Sequence, residues 1–146
     1  MDRLPQPHLF PSPDATPFWD ACRRRELHLP YCPRCDDVFF YPRALCPTCG
    51  SRAIEWRRVS GRGRLHAFCI HHHSPLAGFR DAVPFVTALV ELEEGARMMS
   101  FLAGVEPDPA AIRCEMPLEV SFAQLEDGQL LPVFRPATAR HSTTEE

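Results

Sequence analysis

Cys32-Pro33-Arg34-Cys35 and Cys46-Pro47-Thr48-Cys49, with ten residues between them, decide how the N-terminal half is read. Two C-x-x-C pairs at this spacing are the sequence form of a four-cysteine zinc ribbon. Each pair sits on a tight turn that points both sulfurs at one centre. The residues between them form a hairpin that brings the second turn back to face the first. Four thiolates around one divalent ion suit tetrahedral zinc. Two disulfides, free core cysteines, or iron in the same cage are the alternatives. The matched spacing and the proline after the first Cys of each pair favour zinc. With every ligand a cysteine, no coordination position is left for substrate. The expected cofactor is therefore one structural Zn2+ per chain. Tyr31, Val38, Phe39, Phe40, Tyr41, Leu45 and Ile54 are too few to form a core unaided, so the metal is expected to contribute folding energy.

Outward from this stretch, composition sets bounds. A chain of 146 residues makes one ordinary domain or two very small ones, and 45% hydrophobic residues suffice for a core. Formal charge is −3, and is more negative still once four thiolates and a divalent ion are counted. That balance lacks the electrostatic footprint of a nucleic-acid or anionic-membrane binder. All 16 basic residues are Arg. The segment Met1 to Pro17 is Pro-rich without an apolar run, so no signal peptide is expected, and no stretch is long enough to span a membrane. Seven cysteines, four of them assigned to metal, point to a reduced, cytoplasmic protein. Cys22, Cys69 and Cys114 are expected as buried thiols.

Residues 1–30 read as an arm and a helix. Pro5, Pro7, Pro11 and Pro13 keep Met1 to Pro13 extended. Asp14 to Leu29 read as a helix with its approach, with Thr16 as cap, Pro17 at its first position and Pro30 as its stop. Phe18 and Cys22 fall near one face. So much aromatic area on a short helix makes Phe18 and Trp19 candidates for docking on a partner, against packing on the chain's own body. Residues 31–54 form the ribbon, with Gly50 placed for a positive φ. Residues 55–137 read as a small β-barrel. Its strand candidates are Glu55 to Ser60, Gly63 to Ile70, Val83 to Leu92, Met98 to Leu102, Met116 to Phe122 and Leu131 to Phe134. In Phe85 to Leu92 both faces are apolar enough to be buried. Residues 138–146 form a polar tail expected to be disordered.

Several segments in series carry a resemblance. They are Phe18-Trp19, the four-cysteine ribbon with Pro42-Arg43 and Gly50-Ser51, Trp56, Ser60-Gly61-Arg62-Gly63, Pro84-Phe85, Val90 to Gly95, and Met116-Pro117-Leu118-Glu119-Val120. In this order, from Phe18 to Pro136, they resemble the DUF35-type family of acyl-CoA-associated proteins. That resemblance implies a mainly β fold with an N-terminal arm and helix, a rubredoxin-like zinc ribbon, and a five-stranded OB-fold barrel. It implies a non-catalytic accessory subunit that binds and stabilises a thiolase-like or hydratase-like enzyme acting on acyl-CoA, in lipid or steroid side-chain metabolism. The family usually carries Gly before the Met-Pro segment. Here Glu115 stands in that place, so a changed strand start or a lost close contact is expected.

Other polar clusters are weighed against solvated surface. His71, His72 and His73 leave a strand for the loop that flanks an OB fold's binding face, and are candidates for contact with CoA or a partner. Neighbours in a strand point to opposite faces, so the three cannot easily share one metal. General acid–base work suits the His pKa, but apart from Asp81 no neighbouring Asp is identifiable to orient one. Arg62, Arg64 and Arg80, with Arg57 and Arg58, suit phosphate contacts, although no Gly-rich phosphate loop accompanies them. Cys69 and Cys114 carry no local sign of activation, and no nucleophile elbow is present, so no catalytic residue is assigned. Two further functions compete with the accessory subunit. One is a stand-alone acyl-CoA-binding protein or enzyme, a hydratase or thioesterase. The other is a single-stranded nucleic-acid module stacking bases on Phe68, Phe79, Phe85 and Phe101, which the acidic balance disfavours.

Overall fold

In the computed structural model, which describes residues 4–138, the arm over residues 4–12 carries neither helix nor strand, as its prolines dictate. Most of the expected polar tail lies outside the described residues. The arm enters a 3-10 turn at Pro13–Ala15 and then α1, Thr16–Arg23. Thr16 is thus the first helical residue and not the cap. The helix also ends earlier than the sequence suggests. The Arg25 N–H donates to the Cys22 carbonyl at 2.9 Å and the Glu26 N–H to the Ala21 carbonyl at 3.0 Å, with Arg25 at φ 59°. This is a Schellman stop with Arg in the place that usually holds glycine, which is why no glycine or proline marks it in the sequence.

Pro30 therefore stops no helix. It lies inside β1, His28–Cys32, which pairs antiparallel with β2, Asp37–Val38, and with β3, Glu55–Arg58. The order β2-β1-β3 makes a three-stranded ribbon sheet. This corrects the assignment of Glu55 to Ser60 to the barrel, because β3 finds its partners in β1. Alternation alone does not say which sheet a strand joins.

The five remaining strands are β4, Arg62–His71; β5, Phe85–Leu92; β6, Arg97–Leu102; β7, Pro117–Gln124; and β8, Leu130–Pro136. They close a barrel in the order β4-β5-β6-β8-β7, with β4 pairing β7 to complete the ring. All pairs are antiparallel except β6 with β8. Closure leaves the barrel without an edge strand. Inward positions follow the pleat. On β5, Val86, Ala88, Val90 and Leu92 are buried, while Thr87, Leu89 and Glu91 on the outer face are half-buried, so β5 is not covered evenly on both sides. Phe134 of β8, Leu65 of β4 and Leu118 of β7 fill the centre. The same core takes Phe18 and Cys22 from α1 and Leu27 and Leu29 from the approach to the ribbon and β1, so helix and ribbon sheet are seated on the barrel.

Glu115 sits at φ 69°, the left-handed region that glycine occupies at no steric cost. Its N–H donates to the Leu65 carbonyl at 2.7 Å, and the Leu65 N–H donates to the Met116 carbonyl at 3.0 Å. The turn expected from glycine is therefore kept, and β7 starts normally at Pro117. Arg64 Nε lies 3.1 Å from the Glu115 carboxylate, a contact glycine could not make.

Candidate metal centre and apolar groove

The four ribbon cysteines come together. Their sulfurs all lie within 4.8 Å of one another. Cys32 Sγ is 3.7 Å from Cys49 Sγ, and Cys35 Sγ is 3.8 Å from Cys46 Sγ. A disulfide needs about 2.05 Å, so these are not bonded pairs. A tetrahedron with metal–sulfur bonds of about 2.3 Å has sulfur–sulfur edges of about 3.8 Å. The donor set therefore fits a tetrahedral divalent ion. Both turns are built alike: Asp36 at φ 51° and Gly50 at φ 72° follow the second Cys of each pair. The Tyr31 hydroxyl donates to the Asp36 carboxylate and props the first turn, and that hydrogen bond raises the Tyr31 pKa. The Cys49 and Thr48 backbone N–H groups face Cys46 and pull its thiol down to about 6. Cys35 is pushed up to about 12, chiefly by hydrogen bonding with Cys49. Such a cluster shares protons, and a divalent cation displaces them.

A second feature escaped the sequence. A groove of about 380 Å³ runs between α1, the ribbon and the barrel. Trp19, Phe40 and Tyr41 wall one side, and Phe79, Met99, Phe101 and Leu131 wall the other. Thr87, Met99, Phe101 and Leu131 are outward residues of β5, β6 and β8, so the groove lies on the face that OB folds use for ligands. The His71 and Thr87 side chains are joined by a 2.9 Å hydrogen bond, and the Ser100 hydroxyl donates to the Pro132 carbonyl at 2.8 Å. The Thr87 and Ser100 hydroxyls are therefore already satisfied, and with Tyr41 carrying the one other hydroxyl of its lining, the groove presents a mainly apolar shape. No arginine lines it, so it lacks the cations that accompany base stacking in single-strand sites. Its lining comes from segments far apart in the chain. The local signals are Trp19 on the short helix, the aromatic Phe79, and Met99 and Phe101 on the outward positions of β6.

Other sequence candidates are dispersed. Phe18 is only 4% exposed and packs in the core, and it also borders the groove. Its ring meets Trp19 edge-on and Phe40 at an angle. Trp19 is half-buried and does line the groove. His71 stacks on Phe85 at 4.7 Å, while His72 and His73 are exposed. Arg62 pairs with Glu93 at 3.4 Å, and Arg64 with Glu91 at 3.4 Å. Arg80 donates to the Pro75 carbonyl, and Arg57 lies over the Tyr31 ring. These arginines do not converge on one phosphate. Cys22 is buried as expected, and burial pushes its thiol up to about 12. Cys69 and Cys114 are exposed, contrary to expectation. On β4 the half-buried residues Phe68 and Ile70 pack against the core, so Cys69 between them points outward.

Comparison with known proteins agrees with this architecture. Residues 19–55 match the ChsH2 rubredoxin-like zinc ribbon domain, and residues 56–123 match the ChsH2 C-terminal OB-fold domain. A DUF35 domain-containing scaffold protein of Methanothermobacter thermautotrophicus is 39% identical over 100 residues, covering 67% of this chain and 73% of the relative. The chain belongs to the DUF35 family. A probable enoyl-CoA hydratase alpha subunit of Thermomonospora curvata is 34% identical over 127 residues, 86% of this chain. The chain spans only 39% of that relative's length. The 3-oxo-4,17-pregnadiene-20-carboxyl-CoA hydratase alpha subunit of Mycobacterium tuberculosis is 34% identical over 121 residues, 82% of this DUF35 chain and 37% of the relative. Among solved structures, one described as an Ltp2-ChsH2(DUF35) aldolase superposes with a TM-score of 0.78 at 32% identity. The match covers 90% of this chain and 100% of that one. No helix among the described residues is long and apolar enough to cross a membrane.

Proposed function

We propose that this DUF35 chain is a non-catalytic accessory subunit of an enzyme acting on acyl-CoA, docked through the apolar groove. The groove carries this reading. Tyr41 is 47% exposed and Met99 69%, beside the half-buried Trp19. Leaving such a surface wet forgoes about 25 cal/mol for each Å² of apolar area that a partner would cover. With the Thr87 and Ser100 hydroxyls satisfied internally, the groove offers shape and mainly apolar contact, which suits a protein surface.

Similarity to a scaffold protein, to hydratase alpha subunits and to an aldolase assembly supports a partner that handles a CoA thioester. We take that partner to be hydratase-like or thiolase-like, with the chemistry on its side. Lipid or steroid side-chain metabolism is the setting in which such a pair works. In this reading Cys32, Cys35, Cys46 and Cys49 hold one structural Zn2+, in a reducing compartment such as the cytoplasm. The metal fixes the ribbon that presents Phe40 and Tyr41. His72 and His73, exposed on the loop that carries Phe79, lie where a partner can touch them.

The test is purification of the tagged chain from its source cells under mild washing, followed by mass spectrometry and sizing. We expect an acyl-CoA enzyme at fixed stoichiometry, and no turnover of CoA thioesters by the chain alone. A lone monomer or homodimer that turns over a CoA thioester would overturn the proposal.

A further inference from the structure

In an OB fold the loops after the first and fourth barrel strands flank the ligand cleft. Here these are residues 72–84, between β4 and β5, and residues 125–129, between β7 and β8. One residue of the arm bridges them. The Gln6 backbone N–H donates to the Gly78 carbonyl at 2.8 Å. The Gln6 side-chain Oε1 accepts from the Glu126 backbone N–H at 2.9 Å, across 120 positions of sequence. Gly78 sits at φ +82°, and a Cβ there would run into the Gln6 carbonyl oxygen. The close approach therefore depends on glycine at this position. Pro5 is fully buried beside it. Leu4 projects between two spaces, one of about 290 Å³ bounded by Gly78, Asp81, Ala82 and Glu126, the other of about 50 Å³ bounded by Phe85, Leu102 and Pro107.

We propose that the cleft between these two loops is a binding site for an extended, proline-containing peptide, occupied in cis by residues 4–6. Its ligand chemistry is explicit. The main chain supplies one N–H to Gly78, a carboxamide side chain accepts from Glu126, and a buried proline precedes it. Proline on either side of Gln6 pre-sets the extended backbone, so docking the arm loses little conformational entropy. The arm also holds the loop that carries Phe79. That ring packs on Phe85 at 5.7 Å and on Phe101 at 6.0 Å, and it forms part of the groove wall. The cleft and the groove are thus joined through one loop, and a peptide that displaces the arm would loosen that wall. The inference rests on the arm's contacts alone and stands or falls separately from the function proposed above.

The full-length chain supplies the first test, by amide hydrogen exchange on wild type and Gln6→Ala. The substitution removes the side-chain acceptor and leaves the Gln6 N–H in place. We expect exchange at Glu126 and through residues 76–82 to accelerate on the order of fivefold, the effect of one net hydrogen bond. Equal exchange in the two proteins would overturn the proposal. A second test uses a site-specific protease sequence placed around Phe10, which is 83% exposed and so open to cutting. After cleavage of the folded chain, a fluorescent peptide of residues 4–10 should bind the cut protein with increased anisotropy. It should bind several-fold more weakly when its glutamine is alanine, and not at all to uncut protein. A cut protein with unchanged circular dichroism and metal content that ignores the peptide would refute the site.

Discussion

The ribbon and the barrel reach order by different routes. The barrel closes on itself: each strand has two neighbours, and Phe134, Leu65, Leu118 and Val90 are buried in one continuous core. In the ribbon, the segment between Cys32 and Ile54 buries only Phe39, Pro42 and the ligand cysteines Cys32 and Cys46. β2 is two residues long. Hydrophobic burial of that size does not offset the backbone entropy of ordering some twenty residues at roughly 1–2 kcal/mol each. The ribbon must be held by its metal, whereas the barrel is held by its core. Helix α1 and strand β1 belong to both, since Phe18, Cys22, Leu27 and Leu29 pack on the barrel.

This contrast is broken most directly by removing a ligand. Cys46→Ser should lose the metal, whose binding in small zinc domains is worth about 10 kcal/mol or more. Residues 33–54 should then become protease-sensitive while β4 to β8 stay protected. Limited proteolysis with mass mapping reads both regions at once. An intact, metal-free ribbon would show that its own packing suffices. The opposite test is Phe134→Ala, expected to cost about 3–5 kcal/mol through the cavity it leaves. Denaturant unfolding measures that loss, and metal content should stay near one per chain until the barrel melts.

Thiol chemistry sharpens the comparison further. Cys69 and Cys114 are exposed and should be alkylated at once, the four ribbon thiols only after chelation, and Cys22 only on unfolding. Burial raises Cys22 from 9.0 to about 12. The folded chain keeps this proton where the unfolded chain releases it. Its stabilising effect is therefore full below about pH 9 and is lost as pH rises towards 12. Melting temperature followed over pH 8 to 11 should fall less steeply in Cys22→Ala than in wild type. The smallest effect belongs to the turn before β7. Glu115→Gly relieves a left-handed side-chain conformation and loses an exposed ion pair, for a net gain of about 0.5–1 kcal/mol in denaturant unfolding. A loss of stability would show that the Arg64 contact outweighs the strain.

The two regions also differed in how legible they were. The ribbon was written locally: two C-x-x-C pairs fix which four atoms meet, whatever the rest of the chain does. The barrel was written as alternation, and five of the six strand candidates fell into it. The sixth, β3, pairs with β1, since a four-residue alternating run carries no mark of its sheet. The helix was overextended because Arg25 takes the left-handed stop without a glycine to signal it. Phe18 packs in the core and also borders the groove, a double placement that an eight-residue helix, showing its pattern over barely two turns, does not reveal. The groove was out of reach for a different reason. Residues 18–19, 40–41, 79, 98–101 and 131–132 become neighbours only when ribbon and barrel are seated together.

The accessory-subunit reading is tested most directly on the groove itself. Tyr41 and Met99 are its most exposed residues, so Tyr41→Glu combined with Met99→Glu should leave the fold and the metal in place. Native mass spectrometry of tagged wild type and double variant, each recovered from the source cells, gives the answer in one comparison. We expect the wild type to arrive bound to an acyl-CoA enzyme at fixed ratio, and the variant to arrive alone with its metal. A variant that still carries the same enzyme at the same ratio would contradict docking through this groove.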